Sequence, residues 1–315
     1  MTTEGTYAAR QKTGELSAEI GRVIKGKRET IELAVVALLA EGHLLIEDVP
    51  GVGKTTLGQT LALALGSTFH RLQFTSDLLP SDVLGVAIYN PNSHEFEFKP
   101  GPIFANIVLA DEINRTTPKT QSALLEAMNE KQVTTDNVTR PLPRPFMVLA
   151  TQNPVEHHGT YPLPESQLDR FLMKIQIGYP DATAEKEILR RFTNGNHNQT
   201  IDPVLSPEEV VELQQESRRV HITEALVDYM IRIVHETRHH PEIKLGISPR
   251  GTAALFRATQ ALAMVSGRDY VVPDDIKRLV YPVFGHRLAL IESSRSQADA
   301  ASVLDDILGR IPVPA

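Results

Sequence analysis

The chain has 315 residues, of which 41% are hydrophobic and 23% are charged, with a formal net charge of −7 and no cysteine. A chain of this length can bury a sizeable core and is long enough for about two domains. The composition excludes disulfides, thiol catalysis and zinc sites built from cysteine, and the acidic balance disfavours a broadly basic surface for nucleic acid.

No segment of the sequence fits a membrane span or a signal peptide. The longest apolar run, Leu33–Ala40, is far too short to cross a bilayer. The first residues, Met1–Arg10, are polar and lack the apolar centre of a signal peptide. We therefore expect a soluble globular protein of the cytoplasm with no integral membrane segment.

Short apolar runs alternate with helical patterns from Ile31 to about Ile177. Such alternation predicts an α/β fold with a parallel sheet. We assign residues 1–180 to this first domain, and we leave residues 1–15, which carry no predicted element, open to disorder. The predicted strands are Leu44–Ile46, Ile107–Ala110, Met147–Ala150 and Ile175–Ile177.

The sequence IEDVPGVGKTT, residues 46–56, stands between the first predicted strand and an apolar helical run, Leu57–Leu65. A loop with little side-chain bulk at the N-terminus of a helix can turn its backbone N–H groups towards a phosphate. The alternative is an ordinary glycine-rich turn with an exposed lysine. The predicted nucleotide-binding residues are Pro50, Gly51, Val52, Gly53, Lys54, Thr55 and Thr56, and the Thr55 hydroxyl is also a predicted ligand of Mg²⁺.

Asp48 departs from the standard P-loop pattern, which has a glycine at this position. That glycine closes the turn and does not touch phosphate, and aspartate is among the few residues that tolerate a positive φ. We therefore expect Asp48 to take the place of the glycine in the turn, with nucleotide binding retained. Its negative charge, so near the phosphates, counts against affinity.

Two β-hairpins are predicted in the first domain, each around a polar turn. The first lies in the segment 76–104, where Val86–Tyr89 and Phe96–Phe98 flank the sequence NPNS. The second is formed by Gln132–Thr134 and Val138–Arg140 around the sequence TDN. The two hairpins either contact a substrate or are surface hairpins with no partner.

Acidic and amide side chains follow two of the predicted strands. Asp111 and Glu112 come directly after Ile107–Ala110, where Asp111 can hold Mg²⁺ through water and Glu112 can polarise the water that attacks a γ-phosphate. By itself, a pair of acids after a strand is as often a helix N-cap. Asn153 follows the strand Met147–Ala150, where its amide can orient the attacking water or simply form an Asn-Pro turn.

Arg170 stands at the end of the sequence PLPESQLDR, directly after Asp169. An arginine beside an aspartate at a helix end is compatible with a surface ion pair that contributes little. It is also compatible with an arginine finger, which stabilises the charge of a phosphate that is being transferred.

Beyond Pro180 the periodicity becomes helical, and no segment has the pattern of a convincing strand. We predict a second, all-helical domain over residues 181–315, with a flexible loop at Asn194–Asn198. The predicted helices are Thr183–Phe192, Pro207–Glu216, Thr223–Thr237, Ser248–Gly267 and Pro273–Val280. Two groups of histidines, which we interpret as a polar helix face and a polar loop and not as metal sites, are His235, His239 and His240, and His157 and His158.

The ordered set VPGVGKTT, VLADEINR, ATQNP, GTYPLPESQLDRF and ISPRG strongly resembles the MoxR family of AAA+ ATPases. The resemblance covers nearly the whole chain, from about Gly21 to Leu290. It implies an AAA+ P-loop αβα core, a helical lid and a ring, commonly hexameric, in which each nucleotide is held between neighbouring subunits. The positions that match the family's motifs are Lys54 and Thr55 for Walker A, Asp111 and Glu112 for Walker B, Asn153 for sensor 1, Arg170 for the arginine finger and Arg250 for sensor 2.

The same resemblance implies a Mg²⁺-dependent ATPase with a chaperone-like role. Its clients would be protein complexes that it assembles, activates or supplies with metal, often together with a partner that carries a von Willebrand factor A domain. Residues 76–104 look like the family's helix-2 insert, and the second hairpin looks like its pre-sensor-1 hairpin. Two other functions stay open: a DNA-remodelling ring motor, and a regulatory scaffold that binds ATP with little hydrolysis. If Arg170 is not the arginine finger, Arg115 is the next candidate.

Overall fold

The computed structural model describes residues 3–153, 160–193, 201–291 and 299–314. Two of the segments named above, His157-His158 and Asn194–Asn198, lie outside the described residues. The helices are α1 (Thr3–Val23), α2 (Arg28–Leu39), α3 (Lys54–Ala64), α4 (Pro80–Leu84), α5 (Pro118–Glu130), α6 (Glu165–Leu168), α7 (Ala182–Thr193), α8 (Pro207–Ser217), α9 (Glu224–His239), α10 (Pro249–Val265), α11 (Pro273–Phe284) and α12 (Ala300–Arg310). The strands are β1 (Leu44–Glu47), β2 (Phe69–Gln73), β3 (Gly85–Asn90), β4 (Glu95–Pro100), β5 (Ile107–Asp111), β6 (Gln132–Thr135), β7 (Val138–Pro141), β8 (Met147–Gln152), β9 (Met173–Ile175), β10 (Ile243–Leu245) and β11 (Ala289–Leu290).

The predicted parallel sheet is confirmed. It has five strands in the order β2-β5-β8-β1-β9, all parallel. The three central strands are almost wholly buried, as expected for a sheet covered on both faces. The edge strand β2 was not predicted, because Leu72 is the only buried residue in its sequence FHRLQ. The strand β9 begins at Met173, two residues before the predicted start at Ile175.

Alternate residues of the sheet face two different apolar clusters, as the two-residue period of a strand requires. Leu44 and Ile46 join the cluster that contains α1, α2, α3 and the lid helices. Leu45 joins the smaller cluster built around α5. The lid therefore shares a continuous core with one face of the sheet.

The helical lid is confirmed and carries one addition, a two-stranded antiparallel sheet of β10 and β11. The strand β10 has three residues and β11 has two, so both are too short to give a recognisable pattern in the sequence. The helix α12 was also absent from the prediction. The domain boundary near residue 180 stays a prediction.

The expectation of disorder at the start of the chain is wrong for residues 3–15, which belong to the helix α1. Ala9, Leu16 and Ile20 are buried on the side of α1 that packs against α2, α3 and α10. This apolar stripe, at a spacing of seven and then four residues, is typical of an amphipathic helix.

Both hairpins are confirmed as antiparallel pairs, β3 with β4 and β6 with β7. They are joined by the Arg140 guanidinium, which lies 3.8 Å from the centroid of the Phe98 ring.

None of the described helices combines the length and the apolar character that a membrane crossing needs.

Candidate nucleotide-binding site

The loop between β1 and α3 has the backbone of a phosphate cradle. Gly51 and Gly53 have φ values of +85° and +97°, a region that residues with a side chain rarely adopt. A Cβ atom at either glycine would meet nothing within 4 Å, so the space in front of the loop is open. No side chain caps α3, so the N–H groups of its first turn are available to a ligand.

Lys54, the first residue of α3, lies at the centre of the acidic groups of the site. Its ammonium donates a hydrogen bond to the backbone carbonyl of Asp48. Partial burial lowers the pKa of Lys54, while the nearby carboxylates of Asp48, Asp111 and Glu112 act in the opposite direction. The Lys54 ammonium therefore lies within electrostatic range of Asp48 and of the two acids that follow β5.

Asp48 does not replace the P-loop glycine in the way expected. It is absent from the described non-glycine residues with a positive φ, so a tolerance of left-handed backbone is not its role. Its buried carboxylate accepts the N–H groups of Ile177 and Gly178 through Oδ2, at 2.7 and 2.6 Å, and that of Val49 through Oδ1, at 3.0 Å. The charge is thus bonded to backbone on the β9 side of the strand.

Thr151, on β8, fixes the two acids of the predicted Walker B motif. Its fully buried hydroxyl donates to Asp111 Oδ1 at 2.6 Å and accepts the backbone N–H of Glu112 at 2.8 Å. Glu112 has a φ of +57°, a left-handed conformation that is costly for a residue with a side chain. Such backbone conformations concentrate at functional sites, and here a neighbouring strand holds it in place.

Two residues of β2, which the sequence analysis missed, bond to these acids. Arg71 Nη2 lies 2.6 Å from Asp111 Oδ2, and Gln73 Nε2 donates to Glu112 Oε2 at 2.8 Å. Arg115 also contacts Glu112 Oε2, at 3.1 Å from its Nε. The alternation of polar Arg71 and Gln73 with buried Leu72 is the signal that would have revealed this strand.

Asn153 follows β8 directly and is 7% exposed. Because β8 lies between β5 and β1 in the sheet, Asn153 follows the strand between those that lead to Glu112 and to the P-loop. The ends of three adjacent strands therefore bring Lys54, Asp111, Glu112 and Asn153 to one edge of the sheet.

Arg170 is bonded to its own subunit. Its Nη1 donates to the Leu125 carbonyl at 3.0 Å, and its buried Nε has no hydrogen-bond partner among the described residues. Asp169 faces the lid, where it accepts Arg287 Nε and Ser248 Oγ, both at 2.8 Å. The segment that carries Arg170 is thus held by the lid of the same chain.

Arg250 lies on the first turn of α10 and is exposed. Ser248 caps that turn by accepting the N–H of Gly251 at 3.1 Å. A role for Arg250 as a phosphate ligand stays a prediction. On α9, the rings of the exposed His235 and His239 stack at 5.3 Å. The expectation of a polar helix face is wrong for His240, which is 8% exposed and whose Nε2 lies 3.1 Å from Asp306 Oδ2.

The residues at this edge fit Mg²⁺ and a nucleoside triphosphate. The Thr55 hydroxyl and the Asp111 carboxylate are hard oxygen ligands of the kind that Mg²⁺ prefers. The open loop around Gly51 and Gly53, with Lys54 beside it, fits a polyphosphate.

Comparison with known proteins points to the same chemistry. Residues 43–173 match the model of the ATPase family associated with various cellular activities (AAA), and residues 235–307 match that of the AAA lid domain. The chain is 50% identical to the uncharacterised protein YeaC of Bacillus subtilis, with 96% of this chain and 94% of that protein covered. It is 42% identical to the chaperone MoxR1 of Mycobacterium tuberculosis, over 94% of this chain and 81% of the relative.

Two further similarities extend this result. The protein MoxR of Paracoccus denitrificans is 30% identical, with 96% of both chains covered. The crystal structure of a candidate ATPase from Cytophaga hutchinsonii superposes with a TM-score of 0.92 at 42% identity, over 99% of this chain and 98% of the other.

Proposed function

The chain belongs to the MoxR family of AAA+ ATPases, and from this premise we propose that it hydrolyses ATP to ADP and phosphate with Mg²⁺ and uses the reaction to remodel client protein complexes. The observation that carries the proposal is the arrangement of Lys54, Asp111, Glu112 and Asn153 at the ends of three adjacent strands, beside an open glycine loop.

Each of these residues has a distinct role in the proposed reaction. The Lys54 ammonium donates to phosphate oxygens, and Thr55, together with Asp111 through water, would hold the metal. Mg²⁺, when bound, would neutralise charge on the phosphate oxygens. Asn153 orients the attacking water.

Glu112 accepts the proton of that water at one of its carboxylate oxygens. Oε2 is bonded to Gln73 and Arg115, and both side chains come from flexible, partly exposed residues. Thr151 holds the backbone of Glu112, so the side chain can turn while its base stays fixed.

Phosphate release from ATP tests this function. We expect Glu112→Gln to bind nucleotide as the wild type does and to turn over about 10² to 10⁴ times more slowly, because the amide cannot accept the proton. Glu126→Gln, an equivalent change on the exposed face of α5, is the matched control and should keep full activity. Equal rates for the two variants would remove Glu112 from the reaction, and the absence of any turnover in the wild type would favour the scaffold function.

We further propose a ring, commonly hexameric in this family, in which Arg170 acts on the nucleotide of the neighbouring subunit. In the described conformation Arg170 donates to the carbonyl of Leu125, so this role requires it to exchange an internal partner for a phosphate. A finger supplied in this way contributes about 10³ to 10⁵ in rate. The specific activity per subunit should therefore rise with protein concentration.

Mixing two inactive variants tests the ring directly. Some interfaces between Arg170→Ala and Glu112→Gln subunits pair an intact glutamate with an intact arginine, so activity should return. Subunit exchange is shown separately by fluorescence transfer between labelled rings. No recovery despite exchange would assign the finger to another residue, and Arg115 is the next to test.

The clients and a partner with a von Willebrand factor A domain stay proposals, as does the cytoplasmic location. Glu112→Gln should hold the ATP-bound complex together, so a pull-down with this variant, compared with Lys54→Ala, should enrich the client and partner. Stimulation of ATP turnover by single-stranded DNA would instead favour the DNA-remodelling motor.

A further inference from the structure

Asp48 connects two parts of the molecule that are distant in sequence. It lies one residue beyond β1, at the base of the P-loop, and is 8% exposed. Its carboxylate holds Ile177 and Gly178, which are 129 and 130 residues further along the chain. These two residues belong to the connection between β9, the last strand of the sheet, and α7.

The connection 176–179 is held by three side chains, that of Asp48 and two from the start of α2. Besides the bonds to Asp48, Thr30 Oγ1 donates to the carbonyl of residue 176 at 3.1 Å, and Lys27 Nζ donates to that of residue 179 at 2.7 Å. Gly178 has a φ of +67°, so the chain turns sharply at the point that the Asp48 carboxylate binds. Of the three side chains that hold the connection, that of Asp48 also belongs to the nucleotide loop.

The P-loop acts on the same residue through two other groups. The Lys54 ammonium is bonded to the Asp48 carbonyl, and the Val49 N–H is bonded to Asp48 Oδ1. A P-loop lysine contacts the phosphates when nucleotide is bound, so the ammonium that is bonded to the Asp48 carbonyl is also drawn towards phosphate. A phosphate bound by the loop would therefore act on both sides of Asp48, at its own carbonyl and at the Val49 N–H that orients its carboxylate.

We propose that Asp48 is a positioning residue that couples phosphate binding in the P-loop to the segment leading into the lid. This inference rests on the proposed function, since it requires a nucleotide at the loop. It also explains the departure from the P-loop pattern, because a glycine at position 48 has no carboxylate to bind the N–H groups of Ile177 and Gly178.

Hydrogen exchange of the amides of Ile177 and Gly178, with and without a slowly hydrolysed Mg²⁺–ATP analogue, tests the coupling. In the wild type we expect bound nucleotide to slow this exchange at least about threefold, a modest coupling between two sites. Asp48→Gly, which restores the standard P-loop, should bind the analogue with similar affinity yet lose the difference between the two states, so that the ratio of their exchange rates falls to about 1. Asp48→Asn, which keeps the shape but loses the charge, should show a reduced response.

Glu47→Gln is the matched control. Glu47 is the adjacent residue, and its carboxylate also reaches β9, but it bonds to the Lys174 side chain, at 2.9 Å, and not to the connection. This variant should keep the wild-type ratio of exchange rates. A purely structural role for Asp48 would raise exchange in both states and leave their ratio unchanged.

The outcomes separate this inference from the function on which it rests. Binding of the analogue together with a wild-type ratio in Asp48→Gly and Asp48→Asn would overturn the coupling alone. Failure of the wild type to bind the analogue would overturn both the nucleotide site and the coupling.

Discussion

The two ends of the central sheet use polar residues in opposite ways. At the carboxyl end, the acids Asp111 and Glu112 bond to the side chains of neighbouring residues, and the side chain of one partner, Arg71, is 48% exposed. Asp48 is the exception at this end, because its buried carboxylate is bonded to backbone N–H groups. At the amino end, His43 and Asn106 are neutral, buried and bonded mainly to backbone atoms.

At the amino end, the polar side-chain atoms of His43 and Asn106 are all hydrogen-bonded within the protein. His43 accepts the Val148 N–H through Nδ1 and contacts the Met128 carbonyl through Nε2, both at 3.0 Å. Asn106 accepts the hydroxyl and the N–H of Thr68 at 2.8 and 3.2 Å, and donates to a backbone carbonyl at 2.9 Å. Since removal of either side chain leaves buried groups unpaired, this end should determine stability.

The bonds at the carboxyl end can be exchanged for a ligand. Lys54 can leave a carbonyl, Arg71 can leave Asp111, and Gln73 can leave Glu112, because each is a flexible side chain near solvent. Ligands of open parallel sheets bind at this end of the strands. The comparison predicts that variants at one end change activity and that variants at the other change stability.

Of the variants that compare the two ends of the sheet, Asp111→Asn should have the largest effect. Replacing a metal ligand should lower ATP turnover by about 100-fold or more, since a bound metal contributes several kcal/mol to such reactions. The melting temperature should stay within about 2 °C of that of the wild type, a shift that corresponds to less than 1 kcal/mol in a chain of this size. Calorimetric melting and phosphate release on the same preparation check both, and a large loss of stability with activity retained would break the comparison.

His43 makes the amino end sensitive to pH. Burial is the main cause that lowers its pKa from 6.5 to about 4, and the cations of Lys131 and Arg257 act in the same direction. As the pH falls from 6.5 to 4, the unfolded chain takes up the proton before the folded protein does, so stability is lost across this window. The loss approaches about 3 kcal/mol and is complete below the folded-state pKa.

Denaturant unfolding between pH 4 and pH 8 measures this loss. His286 is buried and also has a lowered pKa, so the wild-type curve contains both histidines. The difference between the wild type and His43→Asn isolates the contribution of His43, because the asparagine oxygen can still accept the Val148 N–H. Parallel curves for the two proteins over this window would contradict the assignment.

A smaller loss of stability is expected for Asn106→Ala. The change leaves the Thr68 N–H and a buried backbone carbonyl without partners, at a cost of about 1 to 3 kcal/mol in the free energy of unfolding. The affinity for nucleotide should not change. Chemical denaturation and a nucleotide titration measure the two quantities, and a reduced affinity without reduced stability would argue against the separation of roles.

The smallest effect on stability is expected for Arg71→Met. Its ion pair with Asp111 is partly exposed, and such pairs contribute less than about 1 kcal/mol. Loss of the positive charge should instead tighten the binding of Mg²⁺ by the Asp111 carboxylate, which a titration of ATP turnover against Mg²⁺ would detect. An unchanged Mg²⁺ requirement would show that the two cations do not compete.

The sequence was sufficient to predict the strands that lead to the site, because Ile107–Ala110 and Met147–Ala150 are continuous apolar runs buried on both faces. It did not reveal β2, because most residues of this strand are polar and resemble a loop. The strand pattern emerges only from the alternation of these polar residues with the buried Leu72. The roles of Thr151 and Asp48 depend on which strands are neighbours in the sheet. Contacts of this kind, across 40 and 129 residues, leave no local pattern.

Titration of the protein with a Mg²⁺–ATP analogue, by calorimetry, tests the central claim that the carboxyl end of the sheet binds nucleotide. The wild type should bind one nucleotide per chain, and Lys54→Ala should bind at least about 100-fold more weakly, since a charged hydrogen bond to phosphate is lost. Lys119→Ala, a change on the exposed start of α5, should bind as the wild type does. Equal affinity in the wild type and in folded Lys54→Ala would contradict the nucleotide site proposed for this protein.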